Sequence, residues 1–104
     1  IDHPDGAHHA GLLLGANYPE FQHASDFPRK GFSNQIGLIM QPVSLGLGFT
    51  VLPAYAVEAF GNSAKVSVHS LAKPVNEELL LCLKRYRALP KRIQMVVAKI
   101  KQWL

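Results

Sequence analysis

Apolar and polar positions along the 104 residues follow more than one period, and each period predicts a different element. Ile36, Ile39, Met40, Val43 and Leu47 recur at helical spacing behind a loop at residues 31–34, where Ser33 or Asn34 is suited to cap the free amides of a first turn. Pro42 lies inside that pattern without a backbone donor, which predicts a kink or a shift of the helix axis. Gly46-Leu47-Gly48 stops the helix, and residues 49–52 predict a short buried strand ended by Pro53. A second short helix is predicted over residues 54–60, closed by Gly61 and Asn62, followed by a strand over residues 65–69 with Val66 and Val68 on one face. After Pro74, residues 77–83 alternate as a long strand, with Leu79, Leu81 and Leu83 on one side and Leu80 and Cys82 on the other. The last segment is the clearest amphipathic helix. Pro90 stands near its first turn, Ile93, Val96, Val97, Ile100 and Leu104 form one stripe, and Lys91, Gln94, Lys101 and Gln102 lie opposite. The first 30 residues break the pattern, because Pro4, Gly6, Gly11, Gly15, Pro19 and Pro28 cut the apolar patches short. They leave a strand end at Ile1, a turn over residues 2–6 and a short helix over residues 8–14.

Helix, glycine turn and strand in succession predict an α/β layer. A strand that is apolar on both sides predicts a sheet covered on both faces, with Cys82 as a small buried residue within it. The stripe on the last helix needs a surface to pack on: docking on the parent domain is the first expectation, with a dimer face or a membrane face as alternatives. A chain of this length holds one modest core. It begins at Ile1 without an initiator methionine, so a piece of a longer polypeptide is expected. Internal repeats and low-complexity tracts are not seen.

Composition sharpens this picture in two places. With 48% hydrophobic and 17% charged residues the chain has the makeup of a folded domain rather than of a disordered tail or a charge-rich coiled coil. The net charge of +4 hides a split: Lys84, Arg85, Arg87, Lys91, Arg92, Lys99 and Lys101 fall in one stretch without an acid, and the other segments hold four basic against seven acidic residues. That composition is not a uniformly cationic nucleic-acid surface, and the strip reads first as a solvated face or a clamp to a missing acidic partner surface, with a local contact to nucleic-acid phosphates as the alternative. A lone cysteine excludes an intramolecular disulfide. No run of about 18 apolar residues is present, and the first residues lack the basic-then-apolar order of an export signal, so the cytosol is the expected location unless upstream sequence supplies one.

Candidate chemistry is sparse. His3, His8, His9 and His23 with Asp2, Asp5 and Asp26 invite a metal, yet no ligand spacing of a known site occurs, and loop or surface histidines are the expected outcome. The serines lack a nucleophile setting, and Glu77 and Glu78 point to opposite faces of a strand, so no catalytic residue and no cofactor is assigned. Binding remains. The loop at residues 31–34 opens a helix whose free amides favour anions and polar groups, with Ser33 adding a hydroxyl and Phe32 a wall, or with Ser33 or Asn34 only capping the helix.

Phe32-Ser33-Asn34-Gln35-Ile36, followed by Pro42-Val43-Ser44-Leu45-Gly46-Leu47-Gly48-Phe49-Thr50-Val51-Leu52-Pro53, resembles the effector-binding domain of LysR-type transcriptional regulators. Residues 79–87 and 89–104 are similar to that family's terminal strand, basic turn and amphipathic helix, and residues 1–6 to the start of its second lobe. The resemblance implies an α/β fold: one lobe of a periplasmic-binding-protein-like two-lobed sensor, a layered α/β/α body over residues 1–88, and a C-terminal helix over residues 89–104 that returns to the first lobe. The winged helix-turn-helix, the linker helix and most of the first lobe are then expected outside this chain. It further implies a small effector held between lobes by Phe32, Ser33, Asn34, Thr50 and Leu52. The implied partners are other copies in a homo-oligomer and promoter DNA reached only through the N-terminal module, without a membrane. The implied chain is not an enzyme and makes or breaks no bond. A lobe of a periplasmic-type solute-binding protein, or of a related enzyme, is the alternative, and an oligomerisation module whose last helix packs in trans is a third reading. One lobe alone is expected to bind the effector weakly or not at all.

Overall fold

A computed structural model describes residues 1–61 and 63–103 of the chain. Asn62 and Leu104, assigned above to a helix stop and to the last apolar stripe, lie outside the described residues, as does the side chain of Ser63.

Among the described residues four α-helices carry the architecture: α1 (Gly6–Asn17), α2 (Ile36–Ser44), α3 (Ala54–Glu58) and α4 (Lys91–Trp103), with short 3₁₀ turns at Ala24–Asp26 and Ser63–Lys65. α1 is longer than its glycines suggested. Gly11 and Gly15 lie on it without ending it, and the turn before it closes through a Gly6 N–H to His3 carbonyl bond of 2.9 Å. α2 begins at Ile36, one or two residues later than a cap at Ser33 or Asn34 implied, and runs only two residues past Pro42. Its end is a Schellman turn: Gly46 N–H reaches the Val43 carbonyl at 3.0 Å, Leu47 N–H reaches the Pro42 carbonyl at 3.1 Å, and Gly46 sits at φ 77°, where a side chain would be strained. α4 is seeded at Pro90, whose carbonyl accepts the Ile93 and Gln94 amides at 3.0 and 3.1 Å.

The α/β expectation is corrected. Among the described residues no strand is formed and the sole β-bridge is a parallel one between Asp2 and Phe32, so the chain is not a layered α/β/α lobe. Residues 49–52, 65–69 and 77–83, each predicted as a strand, form none: Lys65 ends the 3₁₀ turn Ser63–Lys65 and the others have no regular structure. The reason is the ladder: an alternating pattern marks a segment able to pair, while a strand exists only where a neighbour offers its amides and carbonyls. Residues 77–83 have no such neighbour. Leu79 and Leu80 are 77% and 75% exposed, Leu81 and Leu83 about half exposed, and Cys82, expected to be buried, is exposed. Phe49, expected in a buried strand, is exposed too.

Three irregular segments nonetheless converge around residues 1–3. On one side Asp2 N–H donates to the Gly31 carbonyl at 2.8 Å and Ser33 N–H to the Asp2 carbonyl at 3.1 Å. On the other, Ile1 N donates to the Phe49 carbonyl at 2.6 Å and the Thr50 hydroxyl donates to the Ile1 carbonyl at 3.0 Å. The core beside them is small: among the described residues Ala10, Ile39 and Met40 are the buried apolar residues and His3 the buried polar one. α4 contributes no buried residue, with Ile93 and Val97 half-buried and Met95 and Val96 exposed. The molecule is accordingly extended. Its radius of gyration is 17.4 Å, against about 13 Å for a compact chain of this size.

Candidate functional site

The convergence of residues 1–3, the turn at residues 23–29 and residues 49–51 encloses a cleft of about 510 Å³ against α1. That volume falls within the range of small-molecule sites. Its apolar walls are Ile1, Ala7, Ala10, Phe27, Phe49 and Val51, and its polar lining comes from Asp2, His3, His23, Ser25, Arg29 and Thr50. Phe27 joins the walls by an edge-on contact with Phe49 at 5.3 Å between ring centres and a stacked contact with Phe21 at 6.1 Å.

Each polar group is held by local structure. His23 caps the turn Ala24–Asp26: its Nδ1 lies 3.0 Å from the Ser25 amide nitrogen and 2.8 Å from Ser25 Oγ, and its own amide donates to Asp26 Oδ2 at 3.3 Å. Both Ser25 contacts are bonds when Nδ1 is the unprotonated ring nitrogen, which leaves the proton on Nε2. Asp2 ties two directions together, its Oδ1 accepting the His3 amide at 2.8 Å and its Oδ2 meeting the Arg29 guanidinium at 2.5 Å. Gly6 leaves room for that carboxylate, because a Cβ at residue 6 would fall on Asp2 Oδ1. The Arg29 guanidinium also lies 5.5 Å from the centre of the Phe32 ring, within cation–π range. His3 is buried, and its Nε2 stands 3.0 Å from the Val51 carbonyl, an acceptor that requires the ring proton on Nε2. The cleft therefore combines a guanidinium with four free N–H bonds, an imidazole N–H, two hydroxyl oxygens with spare lone pairs, and an apolar floor. Such a lining suits a small ligand with one acidic group and an apolar body.

Of the five residues assigned from sequence, Thr50 lines this cleft. Phe32 stands outside it, half exposed beneath Arg29. Ser33 turns inward to its own chain, its Oγ accepting the Gln35 amide at 3.1 Å and donating to the Gln35 carbonyl at 3.3 Å. Asn34 is exposed and Leu52 half-buried, neither on the cleft wall. His23, Ser25 and Arg29 had no motif to announce them, since the cleft joins residues from three distant segments; only the His-x-x-Asp spacing of the capping turn was there to be read.

His8 and His9 lie on α1, His8 exposed and His9 half-buried, while His69 is exposed in a segment without regular structure, so His8 and His69 stand at the surface as expected and His9 is partly covered. The His9 ring is 5.5 Å from that of His3 and 5.8 Å from that of His8, and His9 Nδ1 is buried without a hydrogen-bond partner. His8 Nε2 meets Glu77 Oε1 at 3.1 Å. Among the described residues no group of three or more His, Cys, Asp or Glu is placed to hold a metal ion. A smaller cavity of about 300 Å³ lies between α2 and α3, lined by Ile36, Met40, Tyr55 and Phe60 among others, without a charged group. Among the described residues no helix is long and apolar enough to cross a membrane. Comparison of the chain with known protein families, with curated proteins and with solved structures gives no match.

Proposed function

We propose that this chain is the ligand-sensing part of a bacterial regulator of transcription and that the cleft between residues 1–3, 23–29 and 49–51 receives its small effector. One observation carries the proposal: the two ends of the stretch that resembles LysR-type effector domains, at Ser33 and at residues 49–51, are hydrogen-bonded to the two sides of residues 1–3, and the second of them lines the cleft. The layered lobe of that family is not part of the proposal, which rests on the residues and the cleft. Arg29 and the His23 N–H bind the acidic group of the effector, and Phe27, Phe49 and Ala10 meet its apolar body. No covalent step is assigned. The effector acts by population: it favours whichever arrangement of the oligomer it binds better, and promoter contact belongs to a module outside these 104 residues. The reading puts the protein in the cytoplasm.

The test is an amide-resonance titration of the chain with short-chain and aromatic carboxylates at millimolar concentration. Shifts are expected at Ala7, Ala10, Ser25 and Thr50, and Arg29→Gln is expected to weaken them at least about tenfold, as loss of a charge-assisted bond does. A folded chain whose cleft resonances stay still, or which responds as strongly with Gln at residue 29, sinks the proposal.

A further inference from the structure

Residues 77–85 read Glu-Glu-Leu-Leu-Leu-Cys-Leu-Lys-Arg, two acids and two bases separated by five uncharged residues. The segment alternates as a strand does, yet among the described residues no backbone hydrogen bond engages residues 77–83, and a turn at residues 85–86 follows it. Its side chains are open to solvent, Leu79 and Leu80 most of all, and neither Glu78 nor Lys84 makes an ion pair among the described residues. Glu77 is held at His8, which fixes one end of the segment beside α1.

We infer that this segment pairs with the same segment of a second copy of this chain, antiparallel about a two-fold axis through Leu81. Charge complementarity selects that occupant and that register. With Leu81 opposite Leu81 of the second copy, Glu78 stands across from Lys84, Glu77 across from Arg85, and Leu79 across from Leu83, each pair on a common face because facing residues in an antiparallel ladder share a side. A slip of one residue loses both of these pairs and leaves one opposed pair in their place, Glu77 across from Lys84 or Glu78 across from Arg85, and a parallel in-register pairing sets acid on acid. The pairing is isologous, so every contact occurs twice. It also gives the open amides and carbonyls the partners they lack within the chain and covers leucines that no element of the chain covers. α4 is a separate surface whose bases would hold an acidic partner without any requirement on the register of residues 77–85. The pairing is independent of whether the cleft binds an effector. Nine residues a side make a small interface, and the dimer is weak and concentration-dependent.

Sedimentation equilibrium of the whole chain over a concentration series tests it. A monomer–dimer equilibrium is expected. Glu78→Lys and Lys84→Glu each turn two attractive cross-strand pairs into two repulsive ones and are expected to weaken association about tenfold, while the double swap restores it to within about threefold. Register is read by oxidation in a Cys82→Ser background: Leu81→Cys is expected to cross-link two copies, and Leu79→Cys, whose counterpart sits four residues along, is not. A single monomer mass throughout, assemblies larger than a dimer, a double swap that fails to restore association, or cross-linking at residue 79 as efficient as at residue 81 overturns the inference.

Discussion

Residues 1–61 and residues 66–103 both leave large apolar side chains in the open, but among the described residues only the first region buries any. The first region buries Ala10 on α1 and Ile39 and Met40 on α2 and draws residues 1–3, 31–33 and 49–51 together by hydrogen bonds. The second holds leucines, a tyrosine and a tryptophan in the open, from Leu79 to Tyr86 at 95% exposure and Trp103 at 81%, and its helix buries nothing. Apolar content alone does not make a core. A segment must also find backbone partners, and among the described residues the second region is tied to the first by polar contacts at Asn17, whose amide nitrogen donates to the Lys73 carbonyl and whose oxygen accepts the Lys73 amide at 2.8 and 2.7 Å, and at Glu77, which meets His8 and His9.

The contrast can be broken at its strongest point first. Ile39 is 2% exposed, and Ile39→Ala is expected to cost about 2–4 kcal/mol in chemical denaturation, a large share of what so small a core supplies. Val96→Ala in α4, at a 55% exposed position, is expected to leave the same midpoint unchanged, and equal losses at the two sites would erase the distinction between the regions. Next in size is His3→Leu, which leaves the Val51 carbonyl without its imidazole donor and is expected to cost about 1–2 kcal/mol, with faster amide exchange at residues 49–51. Smallest is Asn17→Ala. It removes the two bonds to Lys73 and is expected to change global stability by under about 1 kcal/mol while raising hydrogen exchange in residues 71–77 selectively. An equal rise across α1 would show that Asn17 belongs to the core rather than to the tether.

The elements legible in the sequence are those whose cause is local. Gly46 at its left-handed turn, the stripe of α2 and the whole of α4 follow from spacing and from the conformational freedom of one glycine. The strands were not legible in the same way. Leu79 to Leu83 display a strand's alternation, but whether a neighbour comes to pair with them is a property of the assembled chain, and here none does. The same division runs through the site: Thr50 was reachable from a local motif, whereas Arg29 and His23 reach the cleft through contacts with residues far from them in the chain. Ser33, chosen for its place before a helix, uses its hydroxyl on Gln35 instead.

Among the described residues Tyr86 is the one non-glycine residue at positive φ, 61°, and it stands between a segment whose sequence alternates every two residues and a helix whose side chains repeat every 3.6. Its backbone angle, with those of residues 87–90, thus sets the phase between the two patterns. Rotating it turns the apolar stripe of α4 relative to the leucines before it, as a coupling sets the timing between two gears. A glycine at this position would let that phase drift, since glycine visits the left- and right-handed regions alike, whereas tyrosine pays about 1 kcal/mol to stand in one and does not recover it by burial.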